Sequence, residues 1–124
     1  MPRNVITTPG APMSPLFSQG VKAGSQIFVS GTTGVDPSNG QLVRESIQAQ
    51  TRQALKNCEA ILEAGGASLN DVVEVGVLLA NPDDFDGMNE EYVQWFPANP
   101  PTRYAARLGP RCPDCSSRFA WARR

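Results

Sequence analysis

The chain has 124 residues, 40% hydrophobic and 19% charged, with a net charge of −1. That is the make-up of one ordinary globular domain, and it excludes a disordered chain and a bilayer-spanning one, since no apolar run approaches the roughly 18 residues a span needs. The sequence has no histidine, which excludes His-dependent triads, imidazole metal ligation and imidazole acid–base work; any catalysis must run on Arg, Asp/Glu, Cys, Tyr, backbone groups and water.

From the N-terminus, one basic residue (Arg3) precedes Pro9, Gly10, Pro12 and Pro15, with no apolar core of a secretory signal. The default location is cytoplasmic. Val5-Ile6-Thr7 reads as a short edge strand and residues 9–20 as a Pro/Gly/Ser-rich loop. Val21 to Gly24 reads as a turn approach, and Gln26 to Ser30 as a strand ending at Gly31. Asp36-Pro37-Ser38-Asn39-Gly40 is a dense turn signal. Residues 18–43 thus read as two strands, a hairpin-like loop and a short strand.

Residues 46–64 carry the clearest pattern. Ile47, Thr51, Ala54, Leu55, Cys58, Ile61 and Leu62 recur at helical spacing between polar positions, so the segment predicts an amphipathic helix. Ser46 supplies its N-cap and Gly65-Gly66 its stop. Cys58 falls on the apolar stripe as a small core residue. Val72 to Ala80 predicts a strand buried on both faces. Asn81-Pro82-Asp83-Asp84 forms a turn that caps a second helix, on which Phe85, Met88, Asn89, Tyr92 and Phe96 share a face. Pro97, Pro100 and Pro101 end it, and Arg103 to Leu108 reads as a strand. The predicted class is α+β, a mixed sheet with both helices packed on one face.

Charge is divided unevenly. Residues 1–102 carry five Lys/Arg against eleven Asp/Glu, whereas residues 103–124 carry six Arg against Asp114. The basic tail is short, lacks lysine and follows an acidic body, which argues against a nucleic-acid partner. Cys112-Pro113-Asp114-Cys115 is a CxxC, but no histidine or second CxxC completes a zinc set, and it lacks the strand-to-helix context of a redox motif. No metal or cofactor is implied.

Three segments, taken in order and spacing, resemble the Rid (YjgF, L-PSP endoribonuclease-like) family of imine deaminases. The first is Phe17-Ser18-Gln19-Gly20-Val21 with Gly24 and Phe28-Val29-Ser30-Gly31. The second runs from Gln50-Thr51-Arg52-Gln53-Ala54-Leu55-Lys56-Asn57 through Gly65-Gly66 to Asp71-Val72-Val73-Glu74-Val75 and Asp84-Phe85. The third is Asn89-Glu90-Glu91-Tyr92, Phe96 and Pro100-Pro101-Thr102-Arg103. The likeness covers about residues 5–109 of a single domain, 1–124, and leaves 110–124 as an atypical tail.

The resemblance implies a chorismate-mutase-like fold assembled as a homotrimer with a barrel-like interior and ligand sites between subunits. It implies hydrolysis of reactive enamine/imine intermediates, of the 2-iminopropanoate and 2-iminobutanoate type, to 2-oxo acids and ammonia. Arg103 matches the substrate-binding arginine, whose fork takes a carboxylate bidentately. Backbone groups at Ser30 and Gly31 orient the imine and a water, so Arg103 and Gly31 are the catalytic candidates. Phe17 stands where a tyrosine usually covers the ligand, and Asn89 matches an asparagine near the cleft. Tyr92 and Phe96 are expected as core packing. Thr32 replaces a frequent polar amide, Ala105 a frequent cysteine, and residues 115–124 contain no counterpart of the glutamate that often positions the attacking water. The alternative is therefore a non-catalytic trimeric binder of small 2-imino or 2-oxo acids, without a membrane partner. Ribonuclease chemistry has no histidine and no evident acid–base pair to run on.

Past Gly109 the composition turns abruptly to Arg, Cys and Ser. Residues 115–124 make at best an edge strand, with Phe119 and Trp121 alternating against Arg118. The break raises the expectation that the tail is an out-of-frame reading of the family's last strand, in which case residues 110–124 would be irregular or a short substitute strand. Replacing Cys112 and Cys115 together with Ser should leave activity and assembly unchanged; stoichiometric zinc in the purified protein would overturn the absence of a metal role.

Overall fold

The computed structural model describes residues 2–108. Cys112, Cys115, the edge strand and the altered frame read in the tail lie outside them. The first sheet is antiparallel, with strands β1 (Arg3–Ile6), β2 (Gly20–Ala23) and β3 (Gln26–Val29) in that order. Ile6 stands opposite Gly20, and Gly20 opposite Val29. Val21 to Ala23, read from sequence as a turn approach, is the central strand. A two-residue turn at Gly24-Ser25 folds it onto β3, and the second partner that makes it a strand, β1, comes from across the Pro-rich loop. Strands β4 (Val35–Asp36) and β5 (Gln41–Leu42) form a small hairpin around the predicted turn, where the Asp36 carboxylate accepts from the Ser38 N–H at 2.9 Å and its hydroxyl at 2.7 Å.

Helix α1 (Ile47–Ala64) forms where the periodicity places it. The Ser46 hydroxyl accepts from the Ala49 N–H at 3.0 Å, satisfying one of the orphan donors of the first turn. At the other end Gly66 adopts φ 87°, while Ala67 donates to the Leu62 carbonyl and Gly66 to that of Glu63. This is the paired closure that ends a helix through a left-handed residue, which glycine enters without a Cβ penalty.

After a 3₁₀ turn (Leu69–Asp71), strand β6 (Glu74–Leu79), helix α2 (Phe85–Trp95) and strand β7 (Thr102–Arg107) form a crossover unit. β6 and β7 are parallel, with Glu74 opposite Thr102 and Leu79 opposite Arg107. Asn81 accepts from the Asp83 N–H, capping the 3₁₀ turn that leads into α2. Val75 and Leu79 are buried with Leu55 of α1 and Met88, Tyr92 and Phe96 of α2. The other face of β6 is less covered than its apolar sequence predicts: Glu74 is exposed and Leu78 half-buried. There Gly76 lies beneath the Tyr104 ring, which a Cβ would meet at 2.3 Å, so this position excludes a side chain.

The α+β class and the placement of both helices on one side hold. Among the described residues the strands form small sheets, the β1–β2–β3 sheet, the β4–β5 hairpin and the β6–β7 ladder, and no described strand bridges β3 and β6. The core is divided in the same way, into one cluster around Leu55, Val75, Leu79 and Met88 and another of Ile6, Ala11 and Ile61. Among the described residues no helix is long and apolar enough to cross a membrane.

Among the described residues Asn57 is the largest fully buried side chain. Its amide donates to the carbonyls of Thr33 at 3.0 Å and Val35 at 2.8 Å, and its oxygen accepts from Gln53 at 2.9 Å. Asn57→Ala leaves both half-buried carbonyls without their donor and should cost about 2 kcal/mol, read as a lowered urea midpoint; an unchanged midpoint would show that these bonds carry no stability.

Candidate functional site

The sequence-derived site residues fall into two groups. In the first, Arg103 on β7 meets α2. Arg103 stands opposite Val75, whose side chain is buried against the helices, and cross-strand neighbours project to the same face. Phe85, Asn89 and Tyr92 recur at four- and three-residue spacing and so line one stripe of α2. Strand register and helix periodicity therefore converge. The Arg103 Nη1 donates to Asn89 Oδ1 at 2.5 Å, and its guanidinium carbon lies 4.9 Å from the Tyr92 ring centroid and 5.8 Å from that of Phe85. Two aromatic faces thus hold a cation that a neutral amide orients. Among the described residues Arg103 makes no ion pair, so its charge is available to an anion.

Tyr92 is core packing, as expected, and also the bed of this arginine. Its hydroxyl is buried without a partner among the described residues. Burial pushes the phenol above its ordinary value, with the Arg103 charge opposing.

The second group surrounds the end of β3. The Ser30 N–H donates to the Gln19 carbonyl at 3.0 Å, and the Ser30 hydroxyl to the Ser18 carbonyl at 2.5 Å. The Thr32 hydroxyl turns back to the Ser30 carbonyl at 2.7 Å. These bonds hold Ser30-Gly31-Thr32 against the segment that carries Phe17, a residue 40% exposed. No hydrogen bond, ion pair or ring contact among the described residues joins this group to Arg103 and Asn89. The sequence reading puts Arg103 beside Ser30 and Gly31 in a cleft between subunits; within one chain the two groups follow strands of different sheets, β7 and β3.

Two supporting residues had no role assigned from sequence. Buried Gln19 accepts from the Thr8 N–H at 2.7 Å, and its amide nitrogen lies 2.9–3.0 Å from the carbonyls of Thr8, Ala11 and Pro12. It folds the Pro-rich loop that leads to Phe17. Glu91, 5% exposed, takes the Arg52 guanidinium in a two-point bond at 2.9 and 3.3 Å and the Trp95 indole N–H at 2.9 Å. This clamp joins α1 to α2 beside Asn89 and Tyr92. The only local sign of it is the four-residue spacing of Glu91 and Trp95. Among the described residues no three His, Cys, Asp or Glu side chains gather as a metal-ligand group.

The family model described as endoribonuclease L-PSP matches residues 9–110. The chain is 45% identical over 108 residues to the 2-iminobutanoate/2-iminopropanoate deaminase of Homo sapiens, covering 86% of this chain and 78% of that protein. Among solved structures, RidA from the Antarctic bacterium Psychrobacter sp. superposes with a TM-score of 0.81 at 38% identity, covering 90% of this chain and 89% of the other. TdcF of E. coli with bound serine superposes with a TM-score of 0.81 at 32% identity, covering 98% of each chain.

The Arg52 and Trp95 hydrogen bonds hold the Glu91 carboxyl below the ordinary glutamate value, against the opposing effect of burial. A depressed carboxylate stabilises fully above its unfolded pKa, about 4.3, and loses that contribution as pH falls through the lower folded value. The stability gap between this chain and Glu91→Gln should therefore be widest near neutrality and shrink between pH 5 and pH 3 in urea titrations; a constant gap would remove the ion pair from the account.

Proposed function

The chain belongs to the endoribonuclease L-PSP family, and from that membership we propose that it hydrolyses reactive enamine and imine intermediates, of the 2-iminopropanoate and 2-iminobutanoate type, to 2-oxo acids and ammonia. The observation that carries this is Arg103, a cation without an ion-pair partner among the described residues, bedded on Tyr92 and oriented by Asn89. A 2-imino acid offers one carboxylate and one C=N bond. One guanidinium nitrogen bonds Asn89, and the remaining N–H groups take the carboxylate.

Water then adds its oxygen to the imine carbon, the C–N bond breaks, and nitrogen leaves as ammonia with the protons the water supplied. Backbone groups at Ser30 and Gly31 orient the imine and the water, Gly31 allowing close approach, and Phe17 covers the ligand. Because these groups do not meet Arg103 within one chain, each site pairs the two halves across neighbouring subunits of a chorismate-mutase-like homotrimer. Phe28, 60% exposed, and Tyr104, 53% exposed, belong to the helix-free face that such a trimer covers. Support comes from the relative named for this deamination and from the bound serine of TdcF, itself a small carboxylate.

A second reading, a trimeric binder of small carboxylates without turnover, is favoured by one feature: residues 115–124 contain no acid to position the water. Hydrolysis then rests on orientation and backbone polarisation alone.

The test is loss of enzymatically generated 2-iminopropanoate, read by semicarbazide trapping. The chain should accelerate that loss, and Arg103→Ala should lower kcat/KM roughly 10- to 150-fold, the equivalent of charged hydrogen bonds worth about 1.5–3 kcal/mol. Ligand binding without acceleration would select the second reading. An unaffected Arg103→Ala variant would remove the site, and a stable monomer on sedimentation would remove the intersubunit assembly.

A further inference from the structure

Helix α2 has little of its own to fix its orientation. Its 11 residues make about three turns. Asp84 at its N-terminus makes no side-chain cap bond, and Gly87 stands inside it. The face it buries is apolar at Met88, Tyr92 and Phe96, and apolar contact is non-directional, so packing alone does not set the rotation of the helix about its axis. Among the described residues two side-chain hydrogen-bonded links join α2 to other elements: Glu91 to Arg52 of α1, and Asn89 to Arg103 of β7.

These links lie at opposite edges of the buried arc. At 3.6 residues per turn, Glu91 and Asn89 are about 160° apart around the axis, with Tyr92 between them. A rotation that draws Asn89 off Arg103 therefore also drags Glu91 across Arg52, with Tyr92, whose ring centroid lies 4.9 Å from the Arg103 guanidinium carbon, as the pivot. The Glu91 link resists that rotation. Arg52 Nη2 donates to Oε1 at 2.9 Å and Nε to Oε2 at 3.3 Å, and the Trp95 indole N–H donates to Oε2 at 2.9 Å. A two-point bond fixes direction as well as distance, and the Glu91 carboxylate is buried, which limits screening by solvent. The anchor at the other end is α1, whose N-terminus is capped by Ser46 and whose C-terminus closes through Gly65 and Gly66.

We propose that Arg52 and Glu91 are positioning residues for the carboxylate site: by fixing the rotation of α2 they keep Asn89 on Arg103, and so hold the guanidinium fork in the orientation that takes the ligand. The proposal rests on the reading of Arg103 as the carboxylate-binding residue. Both residues act without touching the ligand. Glu91 is two residues from Asn89 and adjacent to Tyr92 in the same helical turn, so a displacement of one is passed to the others. Asn89 carries no charge and orients Arg103 only within hydrogen-bond reach; a shift of about 1 Å takes it to the limit of that reach. The ligand carboxylate keeps its charge while the C=N bond reacts, so its bond to Arg103 is uniform binding, and weakening it acts on KM rather than on kcat.

Titration of the full chain with 2-oxobutanoate, a stable 2-oxo acid of the product class, tests this. Arg52→Met removes the fork and leaves the Trp95 bond to Glu91. It should weaken binding about fivefold or more, within the coupling found between residues of one network. With 2-iminobutanoate as substrate it should raise KM by a similar factor while kcat changes less than about twofold. Glu91→Gln should behave alike, and it carries the test if Arg52→Met does not fold. In an Asn89→Ala background, Arg52→Met should weaken binding by less than about a further twofold, because the route to Arg103 is already cut. A clamp that serves stability alone lowers the urea midpoint and leaves the affinity of the folded chain unchanged. Variants of Arg52 and Glu91 that bind 2-oxobutanoate as tightly as the parent would therefore overturn the proposal. So would the whole loss recurring in the Asn89→Ala background, or a loss confined to kcat. A parent chain that binds no 2-oxobutanoate, or binds it equally well as Arg103→Ala, removes the Arg103 site and this proposal together; binding that needs Arg103 but neither Arg52 nor Glu91 removes this proposal alone.

Discussion

Burial of the apolar stripe of α1 is the constraint on which the other described elements depend. The helix has 18 residues and is about 27 Å long, enough to lie under both sheets. Ile61 packs with Ile6 and Ala11, whereas Leu55 packs with Val75, Leu79 and Met88. Sheets that share no hydrogen bond are thus aligned through one helix. Its one fully buried polar residue, Asn57, ties the same helix to the chain entering β4. The helix ends are closed by Ser46 and by Gly66, so the stripe is presented over its full length.

Arg103 owes its position to two periodicities that happen to meet. The β6–β7 register turns it toward the helices, and the spacing along α2 stacks Phe85, Asn89 and Tyr92 under it. The partner that orients it is an amide rather than a carboxylate. A carboxylate at that point would satisfy the charge internally; the amide aims the guanidinium and leaves its charge for a ligand. The Arg52–Glu91–Trp95 clamp does the opposite with its charges: it spends them on each other to fix α2 against α1, and so keeps Asn89 and Tyr92 in line.

Division of the sheet separates the two halves of the candidate site. Ser30 and Gly31 follow β3, and Arg103 belongs to β7, strands of different sheets among the described residues. Any element that bridges those sheets therefore acts on site geometry as well as on core burial.

Much of this was legible in the residues. The α1 span, its Ser46 cap and its Gly65-Gly66 stop, the turn at Asp36 to Gly40, and the shared face of Met88, Asn89 and Tyr92 all follow from patterns that repeat within one or two turns of chain. Tertiary structure alone decided that Val21 to Ala23 is a central strand, that β3 and β6 do not pair, and that Arg103 meets Asn89 while Ser30 and Gly31 lie elsewhere. The supporting bonds are equally non-local: Gln19 reaches back 11 residues to Thr8, Asn57 reaches 22 and 24 residues to Val35 and Thr33, and Arg52 finds Glu91 39 residues on. Helical and turn signals reside in neighbouring side chains and so are written locally; satisfaction of buried polar groups and strand edges depends on which distant segments the shared core brings together.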